Sequence, residues 1–202
     1  MRGQAKVLPT RQATRTVAPT FKPLTLAEAK KQVEIAAEVN FHDEHIERLM
    51  DIAQDTLEND TGLTLCQSTW TYKLDAFPQF IELPKRPVSS VSSIAYLDSA
   101  GNSQTWSSAN WSLDTTRTFP VILKGKDVDY PEVYDDFSPI TITFVAGYAS
   151  VSAVPAMAKQ AMLLLISTWF ENRVAEISGT ITSRYQLSYD SLVLRLMRSS
   201  YP

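Results

Sequence analysis

Residues that carry chemistry are scarce in this chain, which has one cysteine, two histidines and six glycines in 202 residues. The single thiol, Cys66, excludes an internal disulfide and, lying in a strand-like pattern, reads as buried and inert. The glycines stand singly, so no glycine-rich loop can cradle a phosphate. No serine is flanked by glycines as a nucleophile elbow requires. The two histidines, His42 and His45, lack the i, i+4 spacing of the zinc-protease helix, and a third imidazole ligand is missing. The longest apolar run, 161–166, falls far short of the roughly 20 residues that span a bilayer, and no secretory signal pattern appears. The chain is therefore expected in the cytosol or in a particle assembled there, and no membrane partner is expected.

What is present is an ordinary apolar content of 44% with 20% charged residues, enough for one domain with a sizeable core. The net charge of −3 is unevenly placed. Residues 1–23 carry Arg2, Lys6, Arg11, Arg15 and Lys22 and no acid, which leaves a net −8 on the rest. With three prolines and no sustained period, 1–23 reads as an extended basic arm on an acidic body.

From residue 24 to 202 the pattern is a single domain. Thr25 with Glu28 is a capping box that opens a helix over about 25–39. Asp43 is placed to cap a second helix, 43–61, in which Ile46, Leu49, Met50, Ala53 and Leu57 share one face and Gly62 ends the run. Between Glu28 and Asp60 there are ten acids and three bases, so the outer faces, with Glu44, Glu47, Asp51, Asp55 and Glu58, read as negative.

Alternation from Cys66 to Leu74, then short strands at 80–83, 91–97, 111–113, 121–123 and 140–145 between turn signals, give a mostly antiparallel β-rich insertion over about 64–148. Without βαβ alternation a doubly wound fold is disfavoured. A third helix, 155–173, is apolar nearly all round. Gln160, Ser167 and Glu171 sketch a wet face that Leu163 and Leu164 interrupt, so part of its cover is expected from a neighbouring subunit or from the β-rich insertion. Residues 174–188 show no clear period and read as a loop or hairpin. A short last helix, 190–198, turns Leu192, Leu196, Val193 and Met197 inward. The fold class is α+β: a small helical bundle with an inserted antiparallel sheet module and an N-terminal extended arm.

Three clusters could carry chemistry. His42-Asp43-Glu44-His45 reads as a solvated helix start, with a metal-dependent enzyme as the less favoured reading. The acids Asp127, Asp129, Glu132, Asp135 and Asp136 match no calcium-loop spacing and read as a solvated loop, with a hard-cation site as the alternative. The aromatics Trp70, Tyr72, Trp106, Trp111, Phe144, Tyr148, Trp169 and Phe170 lack interleaved basic residues, which favours core packing over a base-stacking platform. Neither a cofactor nor a catalytic residue is expected.

Five segments in order are similar to the head-tail connector (adaptor) proteins of tailed bacteriophages and related gene-transfer particles. They are LTLAEAKKQV; DEHIERLMDIAQDTLENDTG; LTLCQSTWTYKLDAFP; IELPKRPVSSVSSIAYLDSAG; and ITFVAGY followed by VPAMAKQAMLLLISTWFENR. The resemblance covers about 24–173 and the last helix. It implies a non-enzymatic virion component of the neck, assembled in the host cytoplasm as a ring, generally of twelve copies, under the portal protein. Such a ring extends the channel for packaged double-stranded DNA and docks the next neck or tail protein; another neck or tail-completion role is the alternative. The basic arm and the acidic loop 127–136 are departures from that pattern. A subunit or portal interface is expected from Gln160, Leu163, Leu164 and Ser167 of the apolar helix, which can supply one half of a heterologous ring contact. It is also expected from the arm residues Arg2, Lys6, Arg11, Arg15 and Lys22, which would lie along an acidic portal or neighbour. Glu44, Glu47, Asp51, Asp55 and Glu58 are the candidates for a DNA-facing lumen or acidic surface.

Overall fold

The computed structural model describes residues 13–135, 138–172 and 181–198. The fold is α+β and the chain divides into two units. A helical unit is built from Pro19–Gln67 with Gly147–Pro202, and a sheet unit from Met1–Ala18 with Ser68–Ala146.

The helical unit holds α1 (Leu26–Gln32), α2 (Asp43–Thr61), α3 (Ala156–Glu171) and α4 (Ile181–Arg198). At the start of α1 the Thr25 hydroxyl accepts from the Glu28 N–H while the Glu28 carboxylate accepts from the Thr25 N–H at 2.7 Å, completing the capping box. The Thr25 N–H and then the Thr25 hydroxyl, which donates to the Glu28 carboxylate at 2.8 Å, hold the Glu28 carboxyl below its usual range.

The helix expected to reach residue 39 stops at Gln32. Glu34 takes a left-handed φ of 57°, its N–H reaches the Lys31 carbonyl, and the Ile35 N–H reaches the Lys30 carbonyl at 3.0 Å. These two bonds form a Schellman stop with glutamate where glycine is usual, which is why composition did not announce it. Lys30 is buried, and its Nζ lies 2.8 Å from Asp43 Oδ1 and 2.8 Å from the Ala37 carbonyl, tying α1 to the start of α2. Asp43 is thus the first residue of α2 and an ion-pair partner. His42 occupies the cap position without a side-chain cap bond.

The unit's core gathers Ile46, Leu49, Met50, Ala53 and Leu57 of α2 with Ala158, Ala161, Met162 and Ile166 of α3 and Leu196 of α4. Cys66 is buried in this core, two residues before the strand it was expected to open. The last helix begins at Ile181, where a loop or hairpin was expected. Residues 174–180 of that expectation lie outside the described residues. Tyr189, Leu192 and Val193 of α4 pack on the core, whereas Met197 is exposed rather than inward.

The sheet unit holds β1 (Thr14–Val17), β2 (Ser68–Leu74), β3 (Ile81–Glu82), β4 (Val88–Leu97), β5 (Ser103–Thr105), β6 (Trp111–Asp114), β7 (Val121–Lys124) and β8 (Ile140–Ala146). They form two antiparallel sheets, ordered β1-β2-β8-β4-β5 and β3-β7-β6. Central β8 alternates Ile140, Ile142, Phe144 and Ala146 inward, opposite Leu74, Tyr72, Trp70 and Ser68 of β2.

Strand β4 starts at Val88, earlier than the alternation allowed. Its apolar residues Val88, Val91 and Ile94 recur every third position, a spacing that no regular strand keeps on one face. Two bulges, between Val88 and Ser90 and between Val91 and Ser93, bring them opposite Ala146, Phe144 and Ile142. The described end of the basic arm is also structured: 13–18 belongs to the sheet unit, with β1 paired antiparallel to β2 at the sheet edge.

Candidate assembly surfaces

The wet stripe of α2 carries Glu44, Glu47, Asp51 and Asp55, all exposed and spaced so that they line one face. Two of these charges are already engaged. Glu44 lies 3.2 Å from Arg48, and Asp51 lies 2.6 Å from Lys22, a residue expected to serve in the arm. Glu58 falls on the same stripe by spacing but is buried. After Gly62 the chain folds back over it: Glu58 Oε1 accepts from the Leu65 N–H at 2.9 Å and from Gln54 Nε2 at 3.0 Å. Its carboxylate anchors the α2 exit and is not part of an acidic surface.

On α3, Gln160 is exposed and Leu164 half-buried. Leu163 packs against the unit's own core together with Met157, Leu165, Trp169 and Phe170. Ser167 is buried, so it is not available to a neighbouring subunit. The Ser167 and Thr168 hydroxyls donate to the Leu164 carbonyl at 3.1 and 2.7 Å, an internal use of polar groups that lets α3 be surrounded by α1, α2 and α4.

Of the arm residues, Arg2, Lys6 and Arg11 lie outside the described residues. Arg15 sits on β1 with its Cζ 4.8 Å from the Trp70 ring centroid, and Lys85 Nζ lies 4.7 Å from the same ring. Arg15 therefore helps to cover Trp70, which is buried.

His42 and His45 meet rings rather than carboxylates. His42 lies edge-on to Phe170 at 5.5 Å between centroids, and His45 lies 5.9 Å from that ring. Among the described residues no group of three or more His, Cys, Asp or Glu could hold a metal ion. Likewise, no described helix is long and apolar enough to cross a membrane.

The acidic loop is tied down by a pattern that sequence reasoning missed. Asp127, Asp129 and Glu132 are exposed while Val128, Tyr130 and Val133 pack against the sheet core, an alternation without a strand partner. Phe77 stacks on Tyr130 at 4.7 Å, and Trp106 lies 5.2 Å from Tyr130. Burial raises the Tyr130 phenol above its usual range. Asp136 lies outside the described residues.

The most exposed large apolar side chains described in the helical unit were not anticipated: Phe41, between α1 and α2, and Leu187 and Leu194 on α4. The Leu187–Leu194 spacing of seven is a legible helical signal, but it straddled a stretch read as loop.

No family model matches this chain, and no curated protein sequence matches it. Solved structures do. A chain in the neck of an empty gene transfer agent (GTA) particle computed with C6 symmetry has a TM-score of 0.77 at 23% identity, covering 92% of this chain and 95% of that one. A chain in the virion of the native GTA particle has a TM-score of 0.75 at 21% identity over 92% and 95%. A chain in the neck of the native particle computed with C12 symmetry has a TM-score of 0.72 at 21% identity over 92% and 94%. At these identities the likeness is one of fold, and it extends over nearly the full length of both partners.

Proposed function

We propose that this chain is a structural, non-enzymatic adaptor of the neck of a phage-like particle, forming a homo-oligomeric ring of about twelve copies beneath the portal. The observation that carries this reading is the near-complete overlap of fold with chains from GTA necks and virions, 92% of this chain against 94 to 95% of theirs. Those neck assemblies are described with sixfold and twelvefold symmetry, which favours a closed ring.

In the ring, Glu44, Glu47, Asp51 and Asp55 face the passing duplex. An acidic wall offers phosphates no tight partner, so double-stranded DNA slides rather than binds. Lys22 and Arg48 temper that wall by pairing with Asp51 and Glu44. The basic residues Arg2, Lys6 and Arg11 dock on the portal or on a neighbouring copy, and Gln160 and Leu164 lie at the contact between copies. The next neck or tail protein binds the opposite end of the ring.

The test is to mix purified protein with its portal and image the product by electron microscopy, with native mass of each alone as reference. A symmetric ring of this chain under the portal is expected. A chain that joins particles only after another neck protein is in place belongs to a later neck or tail-completion step, and one that stays monomeric in every mixture sinks the adaptor reading.

A further inference from the structure

Phe41 is 89% exposed. It stands edge-on to His42 at 4.9 Å and 79°, and His42 stands edge-on to Phe170 of α3 at 5.5 Å. Three rings thus lead outward from α3, and the outermost is an exposed apolar knob two residues from half-exposed Val39.

On the same helical unit, α4 presents a matching hole. Its inner face packs through Tyr189, Leu192, Val193 and Leu196. Its outer face carries Leu187 and Leu194, 68% and 56% exposed. A shallow depression there is lined by Leu187, Asp190, Ser191 and Leu194, with Arg195 at its edge. Those first four sit at i, i+3, i+4 and i+7, the four-residue diamond into which a side chain of a facing element inserts in knobs-into-holes packing. Small Ser191 leaves the centre of the diamond open.

We propose that Phe41 of one copy inserts into the Leu187–Asp190–Ser191–Leu194 hole on α4 of the next copy. This rests on the ring reading above and names the contact that closes the ring. A ring needs two different surfaces of one subunit that fit each other, and knob and hole are separate features of the same unit. Charge selects the orientation. Exposed Glu38 lies three residues before Phe41, and the hole is edged by exposed Arg195 on one side and Asp190 on the other, so Glu38 aligns toward Arg195 and away from Asp190.

The test uses the full chain carrying Phe41→Cys and Leu194→Cys together, assembled on its portal and treated with a short bis-maleimide. Native Cys66 is 1% exposed and does not compete. A ladder of covalent oligomers beyond the dimer is expected from the double variant and absent from either single variant. Rings visible by electron microscopy without a ladder overturn this contact while leaving the adaptor reading intact, as does cross-linking of Leu194→Cys to the portal instead of to its neighbour. Wild-type protein that forms no ring at all overturns both. As a second measurement, Phe41→Asp should melt like the wild type, because the side chain is exposed, yet lower ring occupancy on the order of tenfold or more. Unchanged occupancy refutes the contact.

Discussion

Replacing Gly147 with alanine tests how the chain leaves β8 and re-enters the helical unit. Gly147 has a φ of 111°, and a Cβ there would stand 2.5 Å from the Cys66 carbonyl oxygen, 2.6 Å from its carbon and 2.7 Å from the Gln67 nitrogen. All three neighbours are backbone, so no side chain can swing away. Restoring an ordinary carbon–oxygen separation needs a shift of roughly 0.8 Å. The Gln67 N–H to Tyr148 carbonyl bond, 3.0 Å long, lies in the segment that must move. A left-handed φ costs an L residue about 1–2 kcal/mol, and loss of that hydrogen bond adds about 1 kcal/mol. Gly147→Ala is therefore expected to destabilise by about 2–3 kcal/mol and to lower the melting temperature by roughly 4–12 °C.

Gly101→Ala is the control, since Gly101 has a φ of 82° but its nearest neighbour to an added Cβ is Tyr134 Cε2 at 3.9 Å. It isolates the conformational cost from the steric one. Thermal and urea unfolding followed by circular dichroism read both variants, with the two units allowed separate transitions. If Gly147→Ala costs no more than Gly101→Ala, the close backbone approach contributes nothing.

Other substitutions probe the same unit. Glu34→Gly should raise stability by about 1 kcal/mol, because glycine takes the left-handed position of the Schellman stop without strain; no gain in urea midpoint would count against that geometry. Lys30→Met should cost about 2–3 kcal/mol, since it removes the buried ammonium that joins Asp43 to the Ala37 carbonyl. A midpoint equal to wild type would show the pair to be neutral. Tyr189→Phe removes the 2.7 Å bond from the phenol to Asp60 and should cost about 1–2 kcal/mol at neutral pH. Burial first, then the bond to Asp60, raises the Tyr189 pKa, so the neutral phenol's contribution is complete below the unfolded value of 10.0 and is lost as pH rises through the higher folded value. The stability gap between wild type and Tyr189→Phe should accordingly stay constant from neutral pH to about pH 9 and close above it; a gap that closes by pH 8 would contradict the assignment. Deleting 1–18 should destabilise the sheet unit by stripping β1 and Arg15 from Trp70, whereas deleting 1–12 should leave its melting unchanged and weaken only incorporation into particles.

Periodicity revealed the elements whose residues repeat cleanly. Helix α2 occupies Asp43–Thr61 as its apolar spacing implies, and β8 alternates without interruption. What stayed hidden has local physical causes. The triplet spacing of Val88, Val91 and Ile94 makes sense only with two bulges, which depend on the partner strand. Helix α1 ends on a left-handed glutamate, a stop that composition does not mark. Glu58 obeys the wet-face spacing of α2 and is buried only because residues 63–65 fold back across it, a tertiary event. Strand β1 lies in a basic, proline-containing stretch and exists through its pairing with β2. The outward Leu187 and Leu194 become a stripe only once α4 is known to begin at Ile181.

These corrections bring a second helix into the assembly problem. Helix α3 has the greasiest sequence in the chain, and a surface of that kind demands cover. Much of its cover is intramolecular, since Met157, Leu163, Leu165, Trp169 and Phe170 all pack on the core of their own unit, while Gln160 is exposed and Leu164 half-buried. Helix α4 is less apolar on average, yet it leaves two leucines open to water on the face opposite its core contacts. The free energy available for a contact between copies depends on apolar area that remains exposed after folding, not on the apolar content of a segment. By that criterion Phe41, Leu187 and Leu194 have most to gain from a second copy, and Leu163 has already spent its share within the fold.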